Sequence, residues 1–282
     1  MHIQDRDTVV TVLMAVFNDE QFVEQAVSSV LCQLNDNMEF LIIDDHSSDL
    51  SPHILATLAN RDNRIRVIRN SKNRGVGYCA WLGMREAVGK YVIRMDSDDI
   101  CFPNRIERQI TFLEQNPEVD IVGAAAIEID DQGNQGKLRQ MPLNHDDIAK
   151  VMWANPIIQP AVAFRRERIL FAGNYNPQLR RRIDYDLWFR CLKAGLHFAN
   201  LPEPLVYYRF TPKSHRKQTL KRAIEQAQIG WRGCWMLKTP WWQYFAVMVP
   251  ILRAILPPKL SHVVYRILAF ADPRSKVQTR LF

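Results

Sequence analysis

Tyr91-Val92-Ile93-Arg94-Met95-Asp96-Ser97-Asp98-Asp99 decides the fold: an apolar strand that ends abruptly in three acids. The same pattern precedes it twice. Thr8 to Val16 is an apolar, β-branched run that ends in Phe17-Asn18-Asp19-Glu20, and Glu39 to Ile43 runs into Asp44-Asp45-His46-Ser47-Ser48-Asp49. Between these strands the apolar period switches from continuous to helical, with Val23, Val27, Val30, Leu31 and Leu34 on one face. A short strand at Ile65 to Ile68 leads through a polar loop into a helix over 76–88, and Pro103 marks the start of another helix. Strands alternating with helices through short connections predict a parallel α/β sheet.

Beyond residue 118 the alternation weakens. The sequence predicts a strand at Val119 to Ile129 entering a hairpin turn, strands at Ala161 to Phe164 and Leu205 to Phe210, and a helix from Tyr185 to Ala194. From His215 onward the text is helical and basic.

In an open α/β sheet, ligands bind at the carboxyl ends of strands. Here three such ends carry acids. Carboxylates so concentrated repel one another unless a cation or donors compensate, and hard oxygen ligands suit Mg²⁺ or Mn²⁺. Any one of them alone reads equally well as a helix cap or turn residue. Gly75-Val76-Gly77-Tyr78-Cys79-Ala80 also fits a dinucleotide fingerprint, but it lies several residues after its strand and in the third unit, not the first.

The 282 residues are 47% hydrophobic and 24% charged, which excludes disorder and repeats of low complexity. Residues 213–282 hold 13 Lys and Arg against only Glu225 and Asp272, a net +11, so the whole-chain +7 leaves −4 on the first 212 residues. Cys32, Cys79, Cys101, Cys191 and Cys234 are scattered and form no CxxC pair, which argues against a zinc knuckle or a disulfide framework. No secretory signal is visible at the N-terminus, so a cytoplasmic location is expected.

The order Val12 to Asn18, Phe40 to Asp49, Asn73-Arg74-Gly75, Met95 to Asp99, Asn155 to Pro160 and Asp184-Tyr185-Asp186-Leu187-Trp188 resembles family 2 glycosyltransferases over about residues 8–210. The resemblance implies a GT-A fold, a Rossmann-like, mostly parallel sheet flanked by helices. It implies a nucleotide-sugar donor, UDP-linked by expectation, and a saccharide or lipid-linked saccharide acceptor. By that resemblance Ala15, Val16, Phe17, Asn18 and Asp45 receive the nucleobase. Asp96 and Asp98 form the DxD element, Asp98 binding Mg²⁺ or Mn²⁺ and Asp96 lying near the ribose or the metal. Lys72 and Arg74 assist the diphosphate, and Asp184 is the catalytic base of an inverting transfer. Where the family usually has Glu-Asp, this chain has Ile183-Asp184; it also has Trp81 in place of a frequent Asn, and only a loosely placed His215. A catalytically inactive module that binds nucleotide sugars is the second reading.

Two domains are expected: a catalytic unit over 1–212 and a basic, apolar helical extension over 213–282. The uncharged run Thr239 to Leu252 has 14 residues and contains Pro250, against the roughly 20 that a membrane span needs. Trp241-Trp242 beside cations suits an anionic membrane surface at the inner face of a membrane. No nucleic-acid partner is expected.

Overall fold

The computed structural model describes residues 10–210 and 219–256. β1 (Val10–Val16), β2 (Met38–Asp44), β3 (Ile65–Arg69) and β4 (Tyr91–Asp96) pair in parallel in the order β3-β2-β1-β4. They are joined by α1 (Val23–Leu31), α2 (Ser51–Arg61) and α3 (Val76–Glu86). Both faces of β1, β2 and β4 are buried, which is why they read as unbroken apolar runs. Val12, Met14, Phe40 and Ile42 pack with Val27 and Leu55 on one face, while Leu13, Leu41 and Ile43 pack with Cys79, Met84 and Trp188 on the other.

The second half adds β5 (Ile100–Cys101), α4 (Arg105–Gln115), β6 (Ile121–Ile129), β7 (Gln135–Arg139), α5 (His145–Lys150), β8 (Ala163–Arg165), α6 (Arg166–Phe171), α7 (Ile183–Lys193) and β9 (Phe198–Arg209). The nine-stranded sheet continues β4-β8-β6-β9-β5, with β7 beside β6. β8 runs antiparallel to both neighbours, whereas β6 and β9 are parallel. The sheet is therefore mixed, parallel in its first half and with antiparallel pairs at β8, β7 and β5 in its second.

Two sequence expectations shift. Pro103 lies in the turn before α4, whose first residue is Arg105 after Asn104. The last strand begins at Phe198, not Leu205, because Pro202 and Pro204 interrupt the strand pattern without ending the strand; β6 absorbs them with register shifts around Ala125.

After residue 218 the chain forms α8 (Leu220–Leu237), α9 (Trp241–Ala246) and α10 (Val249–Ile255), the helical text expected there. The face of α8 made by Ala223, Ala227, Gly230 and Cys234 is buried. Small residues there are required: a Cβ on Gly230 would lie 2.7 Å from the Tyr185 hydroxyl, and one on Gly233 only 2.2 Å from the Phe189 ring. α8 thus docks directly on α7. Thr8, Thr211, Lys213, His215, Arg216, Lys217 and the basic stretch beyond 256, Asp272 included, lie outside the described residues.

Candidate active site

Parallel register brings the acid-bearing strand ends into line. Ala15 pairs with both Ile43 and Asp96, and Val16 with Asp44. Two of the loops that follow are stitched together: Asn18 N donates to Ser47 Oγ at 3.0 Å, Ser48 N to Asn18 Oδ1 at 2.8 Å, and Asp19 N to Ser51 Oγ at 2.9 Å. Asn18 adopts φ 52°, a left-handed conformation that Asn tolerates better than most residues and that turns the chain sharply after β1. Phe17 beside it is half exposed, 49%.

The paired acids after β2 have different tasks. Asp44 is buried, accepts Ser47 N at 3.0 Å and pairs with Arg69 at 3.2 Å. Asp45 is also buried, and its carboxylate accepts Asn70 Nδ2 at 2.7 Å, Arg74 N at 2.8 Å and Gly75 N at 2.7 Å. It therefore fastens the loop that carries Lys72 and Arg74, both exposed, with the Arg74 guanidinium 4.0 Å over the Tyr78 ring. The same bonds dispose of the dinucleotide fingerprint. The Arg74 and Gly75 amides are turned to Asp45, and a Cβ on Gly77 would lie 2.1 Å from Leu179 O, so protein fills the space where a pyrophosphate would sit.

The loop after β4 is the most strained electrostatically. Asp96 is about a third exposed and lies 3.4 Å from the guanidinium of Arg94, which is wholly buried and donates to Leu13 O at 3.1 Å. Asp99 is buried; its Oδ1 accepts Arg209 N at 2.7 Å, while burial, then Asp98 and Asp96, hold its carboxyl well above the usual range. Burial, followed by the like charges of Asp96 and Asp19, pushes Asp98 up to about 7. Arg209 clamps this loop to the end of β9, donating from Nε to Asp98 O at 2.7 Å.

Such a loop fits a divalent cation. Two carboxylates in a partly buried cluster, one holding its proton near neutrality for want of compensation, are the donor set that Mg²⁺ or Mn²⁺ favours, completed by waters and phosphate oxygens. Among the described residues no three His, Cys, Asp or Glu side chains form a metal cage by themselves.

Asp96 also forms one wall of a cleft of about 890 Å³. Opposite acids are few: Asp184, in the first turn of α7, and Glu225 on α8. Asp184 is buried to 8% exposure, and its Oδ2 accepts Asn155 Nδ2 at 2.8 Å. Asn155 and Arg182 both sit at φ 52°, so two left-handed turns aim this region into the cleft. The Asn155 Oδ1 atom is buried without a hydrogen-bond partner among the described residues. Asp186, the other carboxylate in the first turn of α7, is held by Arg190 at 2.9 Å in an i,i+4 ion pair, which leaves Asp184 as the acid of α7 on the cleft wall.

Of the sequence-picked residues, Asp96 and Asp184 line this cleft; Ala15, Val16, Phe17, Asn18, Asp45, Lys72, Arg74 and Asp98 belong to the adjoining locality at the ends of β1 to β4. Arg180 links the two, its Nη1 donating to Asn73 Oδ1 at 2.8 Å. The sequence reading missed Arg139, Arg180, Arg181, Arg182, Arg222 and Arg232, all of which line the cleft. The available signal was the triple arginine just before Asp184.

Comparison with known proteins agrees with this architecture. The model for glycosyl transferase family 2 matches residues 11–187. The amylovoran biosynthesis glycosyltransferase AmsE of Erwinia amylovora is 34% identical over 202 residues, 71% of this chain and 75% of that protein. Staphylococcus aureus TarS 1–349 in complex with UDP-GlcNAc superposes with a TM-score of 0.67 at 14% identity, covering 87% of this chain and 72% of that one. The mannosyltransferase PcManGT of Pyrobaculum calidifontis, in complex with GDP-Man and Mn²⁺, gives 0.62 at 15% identity, over 98% and 84%. The fold is GT-A. With the strand-end acids, the Asp96-Ser97-Asp98 loop and Asp184 falling inside or at the edge of the matched span, the chain belongs to glycosyl transferase family 2.

Proposed function

We propose that this glycosyltransferase moves a hexose from a nucleoside-diphosphate sugar, UDP-linked, to a saccharide or lipid-linked saccharide, with inversion and with a divalent cation, in the assembly of a cell-surface polysaccharide. The observation that carries the reading is the placement of Asp96 and Asp184 on the walls of one cleft, with Asp98 beside Asp96. The ligands named for the TarS and PcManGT structures, and the biosynthetic role named for AmsE, support it.

In this account the nucleobase lies at Ala15, Val16, Phe17 and Asn18. Asp45, fixed by Asn70 Nδ2 and the Arg74 and Gly75 amides, would accept the base's imide N–H. Lys72 and Arg74 flank the diphosphate. Asp98 and Asp96 would hold Mg²⁺ or Mn²⁺, which stabilises the charge that grows on the departing nucleoside diphosphate. Asp184 accepts the proton of the attacking acceptor hydroxyl; Asn155 donates to its Oδ2, fixing the carboxylate's direction and leaving the other oxygen for that proton. Release of nucleoside diphosphate from UDP-GlcNAc, UDP-glucose, UDP-galactose or GDP-mannose in Mn²⁺ tests the reading. At least one donor turns over; failure of all four leaves the inactive, sugar-nucleotide-binding module as the correct account.

We also propose peripheral attachment to an anionic membrane through the C-terminal part, at the cytoplasmic face. No described helix is long and apolar enough to cross a membrane. Yet Trp235 is 74% exposed, Trp241 75%, Phe245 67% and Ile255 65%, on helices flanked by cations. Each cation near such a surface contributes about 1 kcal/mol. Full-length protein is expected to float with anionic liposomes at low salt and to stay down with neutral ones; equal behaviour with both contradicts the attachment.

A further inference from the structure

Arg209 is only 6% exposed, yet among the described residues none of the ion pairs includes it. All four of its nitrogens donate instead to fixed acceptors. The backbone N donates to Asp99 Oδ1 at 2.7 Å, Nε to Asp98 O at 2.7 Å, Nη1 to Asp130 O at 2.5 Å and Nη2 to Gln25 Oε1 at 3.4 Å. The guanidinium also lies over the Phe22 ring, 4.1 Å from its centroid. The start of α1, the acid loop after β4, the hairpin after β6 and the end of β9 thus meet on one side chain.

Two ladders put it there. β5 pairs with β9 through Ile100 with Tyr207 and Cys101 with Val206, so the acid loop is closed at its far end by the strand that carries Arg209. Phe102 stacks on Tyr207, 4.3 Å between centroids, and secures that pairing. On the other side of β9, Arg209 is in register with Ile129, the residue before Asp130.

The clamp takes Asp98 by its carbonyl and Asp99 by its carboxylate, and neither bond uses the Asp98 carboxylate. The peptide is fixed while that side chain stays available to a ligand. The opposite anchor, α1, begins just after Phe17-Asn18, assigned above to the nucleobase, and the Asp19 carboxylate takes a hydrogen bond from Ser97. The two loops of the donor site are therefore braced against each other. Mg²⁺ tolerates little departure from octahedral geometry, so a ligand already held in place binds it better than one that must first be ordered.

Resting on the donor reading above, we propose that Arg209 is a positioning residue of the cation site: by holding the Asp98 peptide against α1 and the hairpin, it presets the Asp98 carboxylate for Mg²⁺ or Mn²⁺ and acts on the reaction only through that residue. Arginine suits the task because its planar fork reaches three separate acceptors while its face lies on an aromatic ring. The single nitrogen of a lysine cannot sit at all three.

Calorimetric titration of UDP into full-chain variants, in Mn²⁺ and in EDTA, tests this. Arg209→Met, which keeps the bulk and removes the donors, is expected to weaken UDP about tenfold or more in Mn²⁺, the scale on which partners of metal ligands act, and to leave the affinity in EDTA within about twofold. Arg209→Lys should recover part of the loss. Phe22→Leu, which removes only the ring beneath the guanidinium, should weaken UDP several-fold in Mn²⁺ alone. In an Asp98→Ala background Arg209→Met should cost nothing further, because it acts through Asp98. The proposal is overturned if Arg209→Met keeps the full Mn²⁺ effect, if it weakens UDP equally in Mn²⁺ and in EDTA, or if it costs as much without Asp98 as with it. Should Arg209→Met fail to fold, Arg209→Lys and Phe22→Leu decide, and an unaltered Mn²⁺ effect in both overturns the proposal. Wild type that binds UDP equally in Mn²⁺ and in EDTA refutes the cation reading itself, and the role of Arg209 falls with it; a wild-type Mn²⁺ effect that the variants leave intact refutes the role of Arg209 alone.

Discussion

Asp184→Asn is expected to lower kcat by about 10²- to 10⁴-fold, the usual contribution of a positioned general base. The amide keeps the size of the carboxylate and can still meet Asn155 after rotation, so the fold and the donor's affinity should hold. What it lacks is the capacity to take the acceptor's proton. A loss in kcat with unchanged KM for the nucleotide sugar is the signature, because a proton transferred only in the transition state contributes nothing to ground-state binding. Asp186→Asn offers the contrast. It breaks an ion pair with Arg190 on the helix surface and should cost at most about 1 kcal/mol of stability, with little effect on turnover.

Asp98→Ala should reduce Mn²⁺-dependent turnover by about 10²-fold or more, since a cation's stabilisation of the leaving group is worth several kcal/mol and each 1.36 kcal/mol is tenfold. The variant should not lose stability in the absence of metal. In the apo protein Asp98 is raised to about 7 by burial and by Asp96 and Asp19, so removing it relieves repulsion. Thermal unfolding in EDTA therefore separates a damaged metal site from a damaged fold. The same raised value gives the sign of the pH dependence: the cation must displace a proton, so below about pH 7 the wild-type Mn²⁺ affinity falls by up to tenfold per unit, and above it becomes flat. A Mn²⁺ affinity that does not change between pH 5.5 and 7.5 would remove Asp98 from the ligand set.

The parallel half was legible because its strands are buried on both faces. Val12 to Val16, Phe40 to Ile43 and Tyr91 to Met95 have no choice but to be apolar throughout, and the acids that end them mark the carboxyl edge. β5, α5 and α6 are too short to show a period. β9 was half hidden by its two prolines. Of the site, the carboxylates were legible from their position after strands, as was Asp184 from the motif around it. The arginines were not, because nothing in the sequence says what Arg180 to Arg182 in their loop, Arg139 at the end of β7, or Arg222 and Arg232 on α8 face. Arg222 and Arg232 illustrate the reason most clearly. Counted along the chain they belong to a basic tail, but the packing of Gly230 and Gly233 onto Tyr185 and Phe189 turns the adjacent face of α8 into a wall of the cleft that holds Asp96 and Asp184. The mildly acidic body and basic tail are therefore not separate in space at this point.

The most direct test of the account is a calorimetric titration of UDP into the full chain with Mn²⁺ and then with EDTA. A nucleoside diphosphate held at the carboxyl edge through a cation on Asp96 and Asp98 predicts binding at least tenfold tighter with Mn²⁺, with the difference abolished by Asp98→Ala. Equal affinity in Mn²⁺ and in EDTA, or a Mn²⁺ effect that survives Asp98→Ala, would contradict it.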